Sequence, residues 1–365
     1  MSVSEALAEK LGIQHPIFGF TPSEHVAAAI SRAGGLGVLG CVRFNDPADL
    51  EAALCYMDEN TDGKPYGVDI VMPAKVPTEG KAVDLDALIP AEHRAFVERT
   101  LLKLGVPPLS GDSAGNAGVL GWLHSVARSH VDVALGHRIS LIANALGSPP
   151  ADVIERAHER GVPVAALAGT ATHARRHVEN GVDIVVAQGY EAGGHTGEIA
   201  SMVLIPEVVD AVGDQVPVLA AGGIGSGRQV LAAHALGAAG VWMGSYWLTT
   251  AEYQLGDSPV QTALVRATSS DTVRARIYTG KPARLLKNKW TQAWAEPDAP
   301  APLPMPLQNI LVGEAHHRMM RGGNPDVVAM PVGQIVGRMN EIRPVAEVMT
   351  SLLAEIEEAR AKLKA

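Results

Sequence analysis

Cysteine is nearly absent from this chain of 365 residues, with only Cys41 and Cys55 present. The two fall in different predicted elements and form neither a CxxC pair nor a zinc-type spacing, which excludes a disulfide scaffold and a cysteine-built zinc centre. Both are expected to be buried, reduced thiols. An excess of positive charge is missing too: the formal net charge is -9, so nothing draws the chain to nucleic acid or to an anionic membrane. No apolar run sustains a membrane span, and Glu5 and Glu9 stand where a secretory signal needs an apolar core. The expectation is a cytoplasmic protein whose partner is a small molecule. Hydrophobic residues at 47% argue against disorder.

Two local absences narrow the chemistry. No dinucleotide-binding glycine fingerprint follows the first strand, where the turn reads GFTPS. Lysine is missing from the C-terminal ends of the predicted strands except for Lys75, just past the third, which counts against a Schiff base or carbanion chemistry on a sugar phosphate.

Strand-like and helix-like segments alternate along most of the chain. Pro16 to Phe20 is an apolar run, Pro22-Ser23 opens a helix over Glu24 to Arg32, and Gly34-Gly35 ends it before GLGVLGC. Asp46-Pro47 caps a helix through Met57, and a turn at Asp62-Gly63 leads to a third strand ending at Val71. The rhythm then breaks over 72–137, a proline-punctuated stretch with two predicted helices. It is read as an insertion over the same end of the sheet as the candidate site, either a lid or pocket wall or an unrelated surface excursion. Strands resume at Arg138 to Leu146 and VPVAALAG, with Thr172 capping a short helix between that strand and the next. They continue with Ile184 to Ala187, Val216 to Ala221 and Gly240 to Leu248. Eight strands alternating with helices predict a (β/α)8 TIM barrel over 1–270, with a C-terminal helical extension over 271–365. An open doubly wound sheet is the alternative.

Function is expected where strands end. IVVAQGYEAGGHTG closes a buried strand at Gln188 and sets His195 among Gly193, Gly194 and Gly197, giving an imidazole room to face a ligand. Other predicted strand ends carry Phe20, Thr21, Asp69 and Asn144. AAGGIGSGRQV places Gly222, Gly223, Gly225 and Gly227 between a strand and a helix N-terminus, and Met243-Gly244-Ser245 closes the next strand. Together they describe a phosphate cup at the seventh and eighth barrel strands. Amides and one histidine around it suit an aromatic cofactor better than sugar chemistry.

PIFGF with AAAISRAGGLGVLG, QGYEAGGHTG, AAGGIGSGRQV with VWMGSYWL, and TGKPARLLKNKW together resemble the nitronate monooxygenase, or 2-nitropropane dioxygenase-like, flavoproteins over nearly the whole chain. The resemblance implies a barrel that binds FMN non-covalently, contacted by Gln188, Gly193, Gly223 and Trp242 to Ser245, and it marks His195 as the catalytic base. In that family the histidine deprotonates a neutral nitroalkane, and FMN oxidises the nitronate with consumption of O2. Phe20, Thr21, Gly194 and Gly222 join the expected cofactor set as neighbours of those motifs. The chain departs from the family in Asp69 of YGVDIV, where asparagine is usual, and in the methionine-free first turn. Asp69 is read equally as a flavin contact or as an acid paired with arginine or backbone amides, and Glu191 either orients His195 or faces water.

The span from Arg274 to Lys289 also holds Arg276, Lys281, Arg284 and Lys287, with Trp290 and Trp294 nearby. It is either a solvated basic face or an anion site for a CoA thioester or nicotinamide nucleotide. Hence a second functional expectation is an NAD(P)H-dependent flavin reductase acting on a quinone or enoyl-CoA. A third is a non-redox lyase or isomerase of a phosphorylated substrate.

Overall fold

The computed structural model describes residues 2–72, 85–108, 124–253 and 259–364. Short caps and turns chosen by the sequence set the element boundaries. α1 (Val3–Leu11) starts on a Ser2/Glu5 capping box and ends at Gly12 in the left-handed conformation. β1 (Ile17–Thr21) feeds α2 (Glu24–Arg32), capped by Ser23, and β2 (Leu36–Gly40) follows. α3 (Pro47–Asn60) takes Asp46 as its cap with proline at the first position, and β3 (Tyr66–Ile70) comes next. The region read as an insertion contributes α4 (Ala91–Lys103) and α5 (His124–Ala134), while Lys75 and the rest of its proline-rich entry lie outside the described residues. The repeat resumes with β4 (Leu141–Asn144), α6 (Ala151–Glu159), β5 (Val164–Ala168), α7 (Ala171–Glu179) and β6 (Ile184–Gln188). Thr170, not Thr172, caps α7, because its hydroxyl reaches the His173 amide.

β7 (Gly194–His195) stands outside the barrel. After it come α8 (Ser201–Val212), β8 (Val218–Ala221), α9 (Gly227–Ala235) and β9 (Gly240–Met243). The last predicted barrel strand is therefore shorter than expected: Gly244 leaves the extended region at ψ -67, and Ser245–Thr249 forms a 3-10 turn. The remainder is α10 (Pro259–Arg266), β10 (Thr272–Ala275), β11 (Ala283–Leu286), α11 (Lys289–Ala293), α12 (Leu307–Arg321) and α13 (Val345–Lys364).

β1-β2-β3-β4-β5-β6-β8-β9 close into a parallel barrel, with Ile17 and Phe18 of β1 in register with Val241 and Trp242 of β9. Strand alternation splits each strand between two cores. Phe18, Val38, Leu141, Val186, Leu219 and Trp242 fill the lumen. Tyr66, Val68 and Ile70 of β3 face the helical shell instead, which leaves Gly67 and Asp69 pointing inward. A third apolar cluster joins α4 to α12 and to Trp290 and Trp294, both buried, so the insertion helix packs with C-terminal residues across the linear boundary at 270. α13 lies in the opposite sense, against the barrel shell through Val348, Leu352 and Ile356. Cys41 is buried as expected, but Cys55 is exposed on α3.

α2 sits so close to β2 that a Cβ on Gly37 would come within 1.9 Å of the Ala27 carbonyl oxygen. Neither backbone can yield without opening the barrel seam. Gly37→Ala is therefore expected to cost more than about 3 kcal/mol, read as the shift of the urea unfolding midpoint at constant slope.

Candidate active site

The site is assembled at the C-terminal ends of the barrel strands. Phe20, Gly40, Asp69, Ala143, Leu167 and Gln188 are the inward positions nearest the mouth. Phe20 lies across it: Cβ atoms built on Gly40 and Gly244 would meet its ring at 3.0 and 3.4 Å. Below it Trp242 is 5% exposed and stacks with Phe18 and Phe20.

His195 stands above this floor. β7 pairs antiparallel with β11, Ala283 opposite His195 and Arg284 opposite Gly194, and β11 pairs in turn with β10. This small sheet pins the loop after β6 to the C-terminal segment. Arg284 locks it further. The side chain is 3% exposed, donates from Nε and Nη2 to the Tyr190 carbonyl at 3.2 and 3.0 Å and from Nη1 to Thr272 Oγ1, and lies 4.5 Å over the Tyr190 ring. His195 Nε2 is 2.7 Å from Thr279 Oγ1, which also accepts from the Lys281 amide. Burial first, and the charge of Lys281 second, push its pKa down to about 4. The imidazole is therefore neutral at pH 7, with a lone pair available.

His195, Gln188, Leu167 and Lys281 line one cleft of about 1300 Å³, walled by the loops after β4 and β5 and by Arg176 and His173 of α7. The Gln188 amide has no hydrogen-bond partner among the described residues. Asp69 is 3% exposed and no arginine or backbone amide among the described residues reaches it, and burial alone raises its pKa to about 7. Of the two readings of Asp69 from sequence, the paired acid is the one the structure does not show.

The glycine turn divides in two. Gly222 and Gly223 hold φ of 104° and 70° and adjoin the His195 loop, where a Cβ on Gly222 would crowd Ser201 Oγ and the Gly189 carbonyl. Gly225 and Gly227 do not belong to an open cup. Their amides are taken by Gln229 Oε1 at 3.0 Å and Glu355 Oε2 at 2.7 Å, and added Cβ atoms would strike Ile335 and the Leu352 carbonyl. These two are packing glycines, Gly225 against Ile335 and Gly227 against α13. The part of the expected cup that stays open is Gly222-Gly223 with Gly244-Ser245, where Ser245 Oγ accepts from the Gly333 amide.

Other expected residues are used internally. Thr21 is fully buried with its hydroxyl on the Ser23 amide, and Met243 points into the shell, so each can meet a ligand only through its backbone. Asn144 ties the β4 end to Met72 and Gly147. Glu191 makes no hydrogen bond to His195: half-buried, its carboxylate accepts from the Ser201 amide and hydroxyl at 3.0 and 2.8 Å, closing the start of α8. Gly193 is wedged against Gly333, and Gly194 takes φ 72° to carry the chain into β7. In the basic span, Arg274 binds the Thr196 carbonyl and Glu198, Arg276 the Gly280 carbonyl, and Lys289 pairs with Asp326. Sequence reasoning missed Thr279 as the partner of His195. The only signal was its place beside Lys281 in TGKPA.

A closed barrel with a neutral half-buried imidazole, polar side chains at the mouth that have no partner among the described residues and an open glycine backbone beside them defines a cofactor-dependent enzyme acting on small molecules. The nitronate monooxygenase family model matches residues 3–355. Rv1533 of Mycobacterium tuberculosis, named as a monooxygenase, is 49% identical over 96% of this chain and 95% of its own. A Staphylococcus saprophyticus protein named "probable nitronate monooxygenase" is 32% identical over 92% of each. Among solved structures, nitroalkane oxidase from Streptomyces ansochromogenes superposes with a TM-score of 0.81 at 27% identity, covering 98% of this chain and 99% of that one. FabK from Thermotoga maritima gives 0.74 at 29%, covering 98% of each. The chain belongs to the nitronate monooxygenase family and is a flavin-dependent oxidoreductase. The non-redox lyase expectation is thereby set aside.

Because Glu191 caps α8 in place of Ala200, which has no side-chain oxygen, Glu191→Ala is expected to lower stability by about 1 to 2 kcal/mol in urea titration. A change confined to turnover, with the unfolding midpoint unmoved, would contradict that capping role.

Proposed function

We propose that the protein is an FMN-dependent nitronate monooxygenase, oxidising alkyl nitronates with O2 and using His195 as the base that admits neutral nitroalkanes. The observation that carries this reading is the neutral imidazole of His195, half-buried and lining the cleft. The donor set fits the cofactor. Backbone amides of Gly222, Gly223, Gly244 and Ser245 suit a phosphate, and the unpaired side chains of Gln188 and Asp69 suit the polar edge of a flavin ring. When bound, FMN supplies the electron transfer that no side chain can perform.

The chain's own part is proton transfer and charge. With Nε2–H donating to Thr279 Oγ1, the Nδ1 lone pair of His195 is free to take the proton from the carbon beside the nitro group. The resulting imidazolium keeps its bond to Thr279. Lys281, exposed on the same wall, favours the anionic nitronate formed in that step. Its charge also opposes protonation of His195 beforehand.

A second reading keeps the flavin but takes electrons from NAD(P)H for a quinone or an enoyl thioester. The cleft volume, far above that of a small nitroalkane, favours it, as do Arg176 and Lys281, which have no ion-pair partner among the described residues. Under argon the two separate: ethyl nitronate is expected to bleach the flavin band, and bleaching by NADH alone with no response to the nitronate would install the second reading.

His195→Asn is expected to abolish turnover of neutral nitroethane while sparing preformed ethyl nitronate; equal loss of both removes the base assignment. The low pKa of His195 sets the pH profile. A base protonated only near pH 4 stays competent on the acid side, so kcat/KM for neutral nitroethane should remain level well below pH 6.5 and fall only as pH approaches about 4. A decline centred near the ordinary histidine value would show that burial does not govern this group.

A further inference from the structure

Asp69 is an acid without a partner at the floor of the site. It occupies an inward position of β3, between Gly40 of β2 and Ala143 of β4, neither of which offers a polar side chain. It is 3% exposed and, among the described residues, makes no hydrogen bond or ion pair. A buried polar group left unpaired is costly, and an ionised one far more so, unless something outside the chain completes it.

We propose that Asp69 meets the flavin as a neutral carboxylic acid, so that cofactor binding is coupled to one proton at this residue. The inference rests on the FMN reading above and concerns how this chain performs it. A protonated carboxyl presents one O–H donor and one carbonyl acceptor, the same pair as a primary amide, and can match a ring edge that carries both a carbonyl oxygen and an N–H. An ionised carboxylate has only acceptors and would place an unpaired charge against the same edge.

Among the described residues the surroundings supply no competing charge. On the turn after β2, Cys41 donates to the Leu39 carbonyl, and its thiol is pushed up by burial and by Asp69 itself. Arg43 is held by Glu24 of α2 and by the Pro22 carbonyl. Elsewhere on α2, His25 packs on Tyr56 and Arg32 binds the Asn60 carbonyl. On α5, His130 is tied to the Phe44 carbonyl, while Arg128 and Asp132 pair with Asp152 and Arg156. Among the described residues, the inward side chains of the other barrel strands at this level are Phe20, Ala143, Leu167 and Gln188, of which Gln188 alone is polar. Burial alone moves Asp69 from 3.8 to about 7. The apo site is therefore protonated below that value and ionised above it, and a ligand that accepts only the protonated form loses affinity as pH rises.

The test is the FMN dissociation constant of the folded apoprotein, by quenching of flavin fluorescence, from about pH 6 to about pH 9. Above about pH 7 the wild-type affinity should fall towards about tenfold per pH unit, whereas Asp69→Asn, which carries the amide permanently, should lack this decline. Titration of the FMN phosphate is common to both proteins, so the difference between the two curves is the readout. Parallel curves overturn the proposal. A wild-type measurement needs no variant: calorimetry at pH 8 in buffers of different ionisation enthalpy should show uptake approaching about one proton per FMN bound, and no uptake overturns the assignment. Failure of FMN to bind either folded protein at any pH would instead refute the flavin reading itself.

Discussion

Everything above the barrel depends on two residues of β7 pairing with two of β11. A loop after a parallel strand has no intrinsic reason to hold its side chains still, and here Gly193 and Gly194 make the loop after β6 looser than most. The pairing of Gly194 and His195 with Arg284 and Ala283 supplies the missing constraint, and it comes from a segment about ninety residues away. Arg284 makes it specific. A guanidinium buried without a carboxylate is tolerated because its N–H groups go to the Tyr190 carbonyl and Thr272, and its face lies on the Tyr190 ring. The loop is thereby held from both sides, with Glu191 clamped to the start of α8 at its other end.

The electrostatics of the site then follow from burial more than from charge pairing. Desolvation disfavours whichever form is charged, so it lifts Asp69 to about 7 and depresses His195 to about 4. One rule moves an acid and a base in opposite directions to the same end, a floor and wall that tend towards neutrality near pH 7. Formal charge is left to the rim, where Arg176 and Lys281 remain exposed.

Much of this was legible in the sequence, and the parts that were not share a cause. Alternating β-branched runs and capped helices gave the barrel, and QGYEAGGH placed His195 at a strand end, because those signals are local. The β7-β10-β11 sheet was not visible, since a two-residue strand has no periodicity. For the same reason Arg284 read as part of a basic face although it is buried, and Thr279 did not register as the neighbour of His195. The glycine turn shows the limit most clearly. Four glycines at the right place read as one cup, but Gly225 and Gly227 are small because α13 and Ile335 press on them. Only long-range packing separates a glycine that makes room for a ligand from one that makes room for a helix.

That division also explains how one scaffold can serve different substrates. The floor of the mouth, Phe20, Asp69, Gln188 and Trp242, belongs to strands whose register is set by barrel closure, and changing it would disturb the lumen core. The cleft walls belong elsewhere, to the loops after β4 and β5, to α7 and to the Lys281-Pro282 turn ahead of β11. These can vary in length and charge without moving the floor, because strand register is set by the ladder within the barrel and not by the loops that leave its strand ends. On the function proposed above, floor and wall meet at His195, which stands on the short strand that pins the loop after β6 to the C-terminal segment.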